Sequence, residues 1–224
     1  MEINNPKYKG QGIHVMAAIF TVEKGITKIL LVQRKNNPFC GMWALPGGAL
    51  YNDEDLKEGM KRELLEKTGL TIPNLQLCNV FGRVDRSPCM RMVGISFLGV
   101  IDQSKVELVK ATLKTSNADW FSIDNIPPLA YDHLEIIQDS LANLKERIVD
   151  SDILEGLFPK NFTLPEIQKV YEAILDKTFD RRNFRKKLLS LDIIEDTNQT
   201  ATFAGKKPAK LYRFKKTRVN KKVL

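Results

Sequence analysis

The sequence predicts an α/β layered domain followed by a smaller α+β domain, and three observations carry that reading. Strand-like and helix-like apolar patterns are interspersed along residues 1–150, the order expected of stacked α and β layers. Residues 151–224 instead open with two short helical patterns and then turn strand-like. The charge divides at the same place. The chain of 224 residues carries 35 Lys and Arg against 27 Asp and Glu, a net charge of +8. Residues 1–150 hold 18 basic and 18 acidic side chains and residues 151–224 hold 17 and 9, so the last third carries the whole excess. Such an asymmetry argues for two units with different partners.

Composition removes several function classes. The longest apolar run, Val15 to Val22, is far shorter than the ~20 residues of a membrane-spanning helix, so no membrane partner is expected. The opening Met1-Glu2-Ile3-Asn4-Asn5-Pro6 has neither a cationic head nor an apolar core, and a cytoplasmic location is expected. Cys40, Cys78 and Cys89 are too few and too scattered for a disulfide framework or a zinc site and fit a reducing compartment. With His14 and His133 alone, a histidine-rich metal site is excluded.

In chain order, Ile13–Phe20 and Ile26–Val32 are β-branched and apolar around Glu23-Lys24-Gly25, and read as a hairpin. A turn-rich loop from Asn37 to Trp43 leads to Leu45-Pro46-Gly47-Gly48. From Asp55 to Thr68 apolar Leu56, Met60 and Leu64 recur at helical spacing, with Asn52 or Asp53 as cap and Gly69 as stop. Strands follow at Leu75–Phe81 and Met92–Ile101, then a helix from His133 to Ile148 whose N-cap is Asp132. His14 reads as a structural strand residue and Trp43 as a packing residue. Arg83, Asp85 and Arg86 share a loop, where they either grip phosphate and sugar hydroxyls or pair among themselves. Arg34 follows the second strand and is a further ligand candidate.

The first helix carries the chemistry. Glu63 and Glu66 leave nearly the same helix face, and Arg62 stands beside them. Paired carboxylates opposite a Gly-Gly turn suit a Mg²⁺ ion and a pyrophosphate, although on their own they are more often a solvated face. The spacing of Gly48, Glu54, Arg62-Glu63-Leu64-Leu65-Glu66, Gly69 and Leu70 resembles the Nudix box, with Trp43–Gly48 before it also typical. Eight of the nine specified positions match. The resemblance implies a Nudix α/β/α sandwich over roughly residues 8–150, with Glu63 and Glu66 as metal ligands and Glu54 paired to Arg62 to hold the loop.

Lys67 is the departure, because hydrolases of this family carry a metal-binding glutamate there. Positions 63, 66 and 67 then sum to −1 instead of −3. A positive charge about 5 Å from Mg²⁺ costs roughly 6–7 kcal/mol at an effective dielectric of 20, before solvent and side-chain movement reduce it. Lys67 either swings to solvent, leaving weak Mg²⁺ binding at Glu63 and Glu66, or replaces the metal as counter-charge to a phosphate. The second case gives a sensor that binds without turnover; the rival is an active Mg²⁺-dependent hydrolase of ADP-ribose or a related nucleoside diphosphate.

In residues 151–224, Thr163-Leu164-Pro165-Glu166 is a capping-box signature and Ile167, Val170, Tyr171 and Ile174 form a helical stripe. After a short break Asp180 caps a second helix, Arg181–Ser190, with Phe184 and Leu188 inward and Arg181, Arg182, Asn183, Arg185 and Lys186 outward. Ile193–Glu195, a polar turn at Asp196–Gln199, and Ala209–Phe214 complete a wing with Lys206, Lys207 and Lys210 near its tip. This pattern reads as a winged helix-turn-helix that binds double-stranded operator DNA, the lysines holding phosphates and the helix meeting base edges. A basic domain for RNA or an acidic protein is the bland alternative.

Both halves together are similar to the Nudix-related transcriptional regulators, the NrtR-like family, on Phe179–Leu188 and Lys207–Phe214 as well as the box. The resemblance implies a repressor whose Nudix-like domain, 1–150, senses ADP-ribose, an NAD metabolite or a pentose, with Mg²⁺ as a candidate cofactor there, and whose domain 151–224 binds DNA with none. A homodimer is expected because one winged helix reads a single short half-site and a two-fold dimer reads two. The connection at 148–165 is the expected route between them.

Overall fold

Within β1 (Gln11–Glu23), Val15, Ala17 and Ile19 pack into one apolar layer and Met16, Ala18 and Phe20 into another. Alternate residues of a strand face opposite ways, so a strand covered on both sides reads as one unbroken apolar run. The structure is a computed structural model describing residues 10–148, 151–202 and 208–215. Along one edge β1 pairs in parallel with β6 (Arg91–Val100), from Gln11 opposite Arg91 to Phe20 opposite Val100. Its other edge is shared by two antiparallel partners, β4 (Gly47–Ala49) at His14–Met16 and β2 (Ile26–Arg34) at Phe20–Glu23. β2 also pairs with β3 (Trp43–Ala44) and β7 (Thr115–Ser122), and β5 (Gln76–Phe81) lies beyond β6. The polar strand β7, Thr-Ser-Asn-Ala-Asp-Trp-Phe-Ser, escapes sequence reading because only Ala118 and Thr115 of it are fully buried.

α1 (Leu56–Thr68) covers one face of the sheet with Met60 and Leu64. Its cap is Asp55, which forms a capping box with Glu58, rather than Asn52 or Asp53. Gly69 ends it at φ 74°, a left-handed conformation that glycine adopts without a Cβ clash. α2 (His133–Glu146) covers the other face with Ile136, Ile137 and Leu144, completing the α/β/α sandwich.

The second unit contains α3 (Ser151–Leu154), α4 (Leu164–Leu175), α5 (Arg181–Ser190) and the hairpin β8 (Ile194–Ala201) and β9 (Ala209–Phe214). Thr163 and Glu166 close the α4 capping box, with Pro165 in the first turn. The turn to α5 is built by side chains. Glu172 accepts from the Phe179 N–H and from Gln168 Nε2, both at 2.9 Å, and the Asp180 carboxylate caps α5 through the Arg182 and Asn183 N–H groups. The expected turn at Asp196–Gln199 lies instead inside β8. There Asn198 takes φ 57°, Asp196 accepts its N–H, and the register shifts, so the polar stretch is an irregularity in a continuing strand. Lys206 and Lys207 lie outside the described residues. Among the described residues no helix is long and apolar enough to cross a membrane.

The two units share one core. Ile167, Tyr171 and Ile174 of α4, Phe184 and Leu188 of α5 and Tyr212 of β9 belong to the same apolar cluster as Met16, Phe20, Ile29 and Ile136. The connection docks on the end of β6: the Gly156 carbonyl accepts from the Asp102 N–H at 2.9 Å, and a Cβ on Gly156 would stand 2.5 Å from the Val100 carbonyl. Phe162 exchanges both backbone hydrogen bonds with Tyr212, and its ring lies 4.9 Å from those of Phe158 and Phe214. Phe162 is wholly buried. Phe162→Ala should therefore cost about 3–5 kcal/mol, read by urea unfolding, with the loss of cavity-lining contacts adding to lost transfer energy. A change below 1 kcal/mol would contradict this junction.

Candidate ligand site and nucleic-acid interface

Glu63 lies at the centre of the box, its side chain only 3% exposed. α1 presses it against the Gly-Gly strand so closely that a Cβ on Gly48 would stand 2.2 Å from its carboxyl carbon. A carboxylate so buried must be matched by cations or hydrogen bonds. Arg62 donates to Glu63 Oε1 at 2.6 Å, and Lys67 Nζ stands 3.2 Å from Oε2 while donating to the Gly47 carbonyl. Oε2 has no hydrogen bond of proper geometry, so Lys67 holds it by charge. Lys67 therefore points inward and not to solvent. Burial lowers the Lys67 pKa and Glu63 opposes the fall; burial pushes Glu63 up, but Lys67, Arg62 and Lys114 hold it below the usual carboxylate range.

Lys114, just before β7, completes the cluster, donating to Glu66 at 2.7 Å and standing 3.5 Å from Glu63. No local pattern in the sequence marks it, because it lies 48 residues from Glu66 and reaches the box only through the pairing of β7 with β2. Arg62 meanwhile holds Glu54 by two bonds, 2.8 and 2.6 Å, which keep that carboxyl down at about 2. Three carboxylates thus meet three cations, Arg62, Lys67 and Lys114, and the charge closes to zero. A Mg²⁺ ion wants several oxygen ligands and repels ammonium groups, so this donor set does not suit it. Among the described residues no group of three or more His, Cys, Asp or Glu is placed to hold a metal. An incoming anion would instead meet the exposed Lys114 first, with Lys67 only 15% exposed beside Glu63.

The surrounding loops are tied to α2. The Leu45 N–H donates to His133 Nδ1 at 2.9 Å, and the Ala130 N–H to the Trp43 carbonyl at 2.8 Å. His133 is wholly buried and accepts that bond as a neutral ring; burial drives its pKa and that of His14 down to about 3. Asp132 begins α2, but its carboxylate makes no cap. It binds Arg86 through two bonds of 2.8 and 2.9 Å, both side chains under 5% exposed, so Arg86 is consumed by this pair. Arg83 pairs with Asp85 and Glu135 at the surface. Arg34 is wrapped by its own loop, donating to Pro38 and Asn36 carbonyls. Trp43 packs edge-on against Phe121. A cleft of about 1280 Å³ lies between the units, lined by Lys24, Leu141, Phe158 and Lys169, but no box residue lines it.

On α5, Arg181, Arg182, Asn183, Arg185 and Lys186 are all exposed while Phe184 and Leu188 anchor the helix. Lys210 on the wing pairs with Asp196 at 2.8 Å. A basic helix whose apolar side is fixed to the core presents donors for phosphates and base edges.

Residues 12–140 match the NUDIX domain family, and residues 142–214 match the NrtR DNA-binding winged helix domain. The ADPR responsive transcriptional repressor NtrR of Acinetobacter baylyi is 34% identical over 201 residues, spanning 88% of this chain and 79% of that one. The chain belongs to the NrtR family. The crystal structure of Shewanella oneidensis NrtR complexed with a 27mer DNA superposes with a TM-score of 0.78 at 30% identity, covering 91% of this chain and 93% of that one. The NUDIX domain of the same NrtR complexed with ADP ribose matches at 32% identity and a TM-score of 0.58, covering 62% of this chain and 93% of that one. The helix that leads from one NrtR unit to the other, α2, spans the division between the two matched domains.

Two outcomes follow from this NrtR site. Lys67→Glu should raise Mg²⁺ affinity at least about tenfold by calorimetry, since it removes a repelling cation and adds a ligand; unchanged affinity would mean that Lys67 does not guard the box. The second concerns acid. Unfolded imidazoles protonate near 6.5 and the folded His14 and His133 only near 3, so the unfolded state binds more protons between those values. Their stabilisation is complete above pH 6.5 and is lost as pH falls toward 3. Urea midpoints should already decline between pH 6.5 and 5, above the range where ordinary carboxylates titrate; a flat profile down to pH 5 would refute it.

Proposed function

We propose that this chain is a cytoplasmic, ligand-responsive transcriptional repressor that binds operator DNA through α5 and the wing and takes ADP-ribose or a related nucleoside diphosphate in the box site. The observation that carries the reading is Lys67 seated on Glu63 and Gly47, where a hydrolase would need another carboxylate. Relatives named for ADP-ribose response and crystallised with DNA or ADP ribose support it. The diphosphate would meet Lys67 and Lys114 without a divalent ion, and DNA binding would need no cofactor. Arg181, Arg182, Asn183, Arg185 and Lys186 would contact DNA, with Lys206, Lys207 and Lys210 on phosphates. The working form would be a homodimer, because one winged helix reads a short half-site and a two-fold dimer reads two.

Effector control requires different ligand affinity in the DNA-competent and incompetent arrangements. The shared core and the docked Leu154–Phe162 stretch give a route: a shift of α2 would be passed to α4 and so to the spacing of the two α5 helices. The rival reading, an active Nudix hydrolase, keeps Arg62, Glu63, Glu66 and Glu54 in its favour. It predicts turnover of ADP-ribose with Mg²⁺ or Mn²⁺ at about 1 s⁻¹ or faster.

A gel shift on the gene's own upstream DNA, repeated with ADP-ribose, NAD and pentoses, tests the whole. The expected result is a specific shift at moderate salt that the effector changes by several-fold or more, a coupling of about 1–3 kcal/mol. Arg182→Ala should weaken operator binding and leave ADP-ribose affinity unchanged. No specific shift would return the basic unit to an RNA or protein partner.

A further inference from the structure

The acids of the second unit are distributed unevenly among its cations. After Asp180, which caps α5, the sequence holds three acidic residues, Asp192, Glu195 and Asp196. Each takes a cation on or just past β9: Lys215 pairs with Asp192, Arg213 with Glu195 at 2.6 Å, and Lys210 with Asp196 at 2.8 Å. None takes a cation of α5. Among the described residues Arg181, Arg182, Arg185 and Lys186 carry no ion pair, and all four are exposed. The helix therefore faces solvent with its charge free, while the described cations of the wing are already matched.

The Asp196–Lys210 pair is fixed by the irregularity in β8. Asn198, at φ 57°, turns its N–H back onto Asp196 Oδ1 at 2.8 Å, and the other carboxylate oxygen, Oδ2, holds Lys210. The Thr197 hydroxyl donates to the Leu211 carbonyl at 2.9 Å and so fastens the irregularity to the strand beside Lys210. Asp196 stands opposite Tyr212, and Lys210 lies two residues from Tyr212, on the same face of the wing. Tyr212 belongs to the core that also seats α5 through Phe184 and Leu188. Arg185 of α5 is near enough for its charge to oppose that of Lys210, while Asp196 lifts the Lys210 pKa above the ordinary lysine value. A carboxylate is thus seated beside the cationic face of α5, where the phosphates of a bound duplex would come.

An exposed ion pair is easily broken, but Lys210 can reach a phosphate only by leaving Asp196, and the carboxylate then stands unmatched near the DNA. Like charges so placed repel each other whatever the base sequence. We infer that Asp196 is a brake on DNA binding: it withholds Lys210 from the phosphate backbone and lowers affinity for operator and random duplex alike. The inference rests on the DNA-binding reading above and adds to it that an acid on the wing sets the strength of the grip. An effector changes affinity by a bounded factor, commonly about 5–150-fold, so it can clear an operator only if the complex is not too tight at the outset.

The test is DNA binding by the full chain, on the gene's own upstream DNA and on a scrambled duplex of equal length, between about 50 and 200 mM salt. Asp196→Asn keeps an acceptor for the Asn198 N–H, so the irregularity is retained, and affinity should rise about threefold or more on both duplexes. One cation freed for one phosphate should also steepen the fall of log affinity with log salt by about 0.9. In a Lys210→Ala background both effects of Asp196→Asn should shrink, to less than about twofold in affinity and no change in slope. Glu107→Gln, which removes an exposed charge from the first unit, should leave binding unchanged. Unchanged affinity for Asp196→Asn, a gain confined to one duplex, an equal gain without Lys210, or an equal gain from Glu107→Gln would each overturn the brake while leaving DNA binding intact. A wild-type chain that binds neither duplex would overturn the DNA-binding reading itself and this inference with it.

Discussion

The buried carboxylate of Glu63 is the constraint around which the ligand site is arranged. It cannot lie ionised against the Gly-Gly strand without compensation, and the compensation arrives from three directions: the preceding residue, the next turn of the same helix, and a distant loop ahead of β7. In a hydrolase of this fold a divalent ion would share that task. Here a covalently attached ammonium takes up part of that charge. That solution is stable only while every member is present, because removing one partner of a buried charge network leaves the other unmatched.

The same region is joined mechanically to α2. Leu45 to His133, Trp43 to Ala130 and Arg86 to Asp132 tie two separate segments, the end of β3 and the loop carrying Arg86, to the start of one helix. Because that helix and α4 contribute to a single apolar layer, a displacement at its start cannot be absorbed by a loose connection further on. Packed layers of this kind respond by moving as bodies rather than by yielding locally.

How much of this was legible in the sequence depended on whether the signal was local. Met60 and Leu64 with Gly69 mark α1, and Asp180 with Phe184 and Leu188 marks α5, since periodicity and caps are properties of neighbouring residues. The sandwich and the winged unit were equally visible by resemblance. What was hidden is non-local. Lys114 carries no mark because its meaning comes from strand pairing, Arg86 looked free for a ligand because its partner Asp132 lies 46 residues on, and Asp132 looked like a cap because helices commonly begin with one. The polar strand β7 and the irregular β8 defeat pattern reading for a related reason: a strand with few buried side chains owes its place to backbone partners, not to hydrophobicity.

The parallel register of β1 with β6 also has a history in time. Gln11 meets Arg91, a residue that leaves the ribosome eighty positions later. At about 5–20 residues per second, synthesis leaves that edge of β1 waiting roughly 4–16 s for its partner. The hairpin with β2 closes early, yet it covers only Phe20–Glu23, and the segment around Val15–Ile19 has neither proline nor charge to discourage a foreign strand. The strand that is later covered on both faces is thus, for those seconds, an apolar edge open to foreign strands.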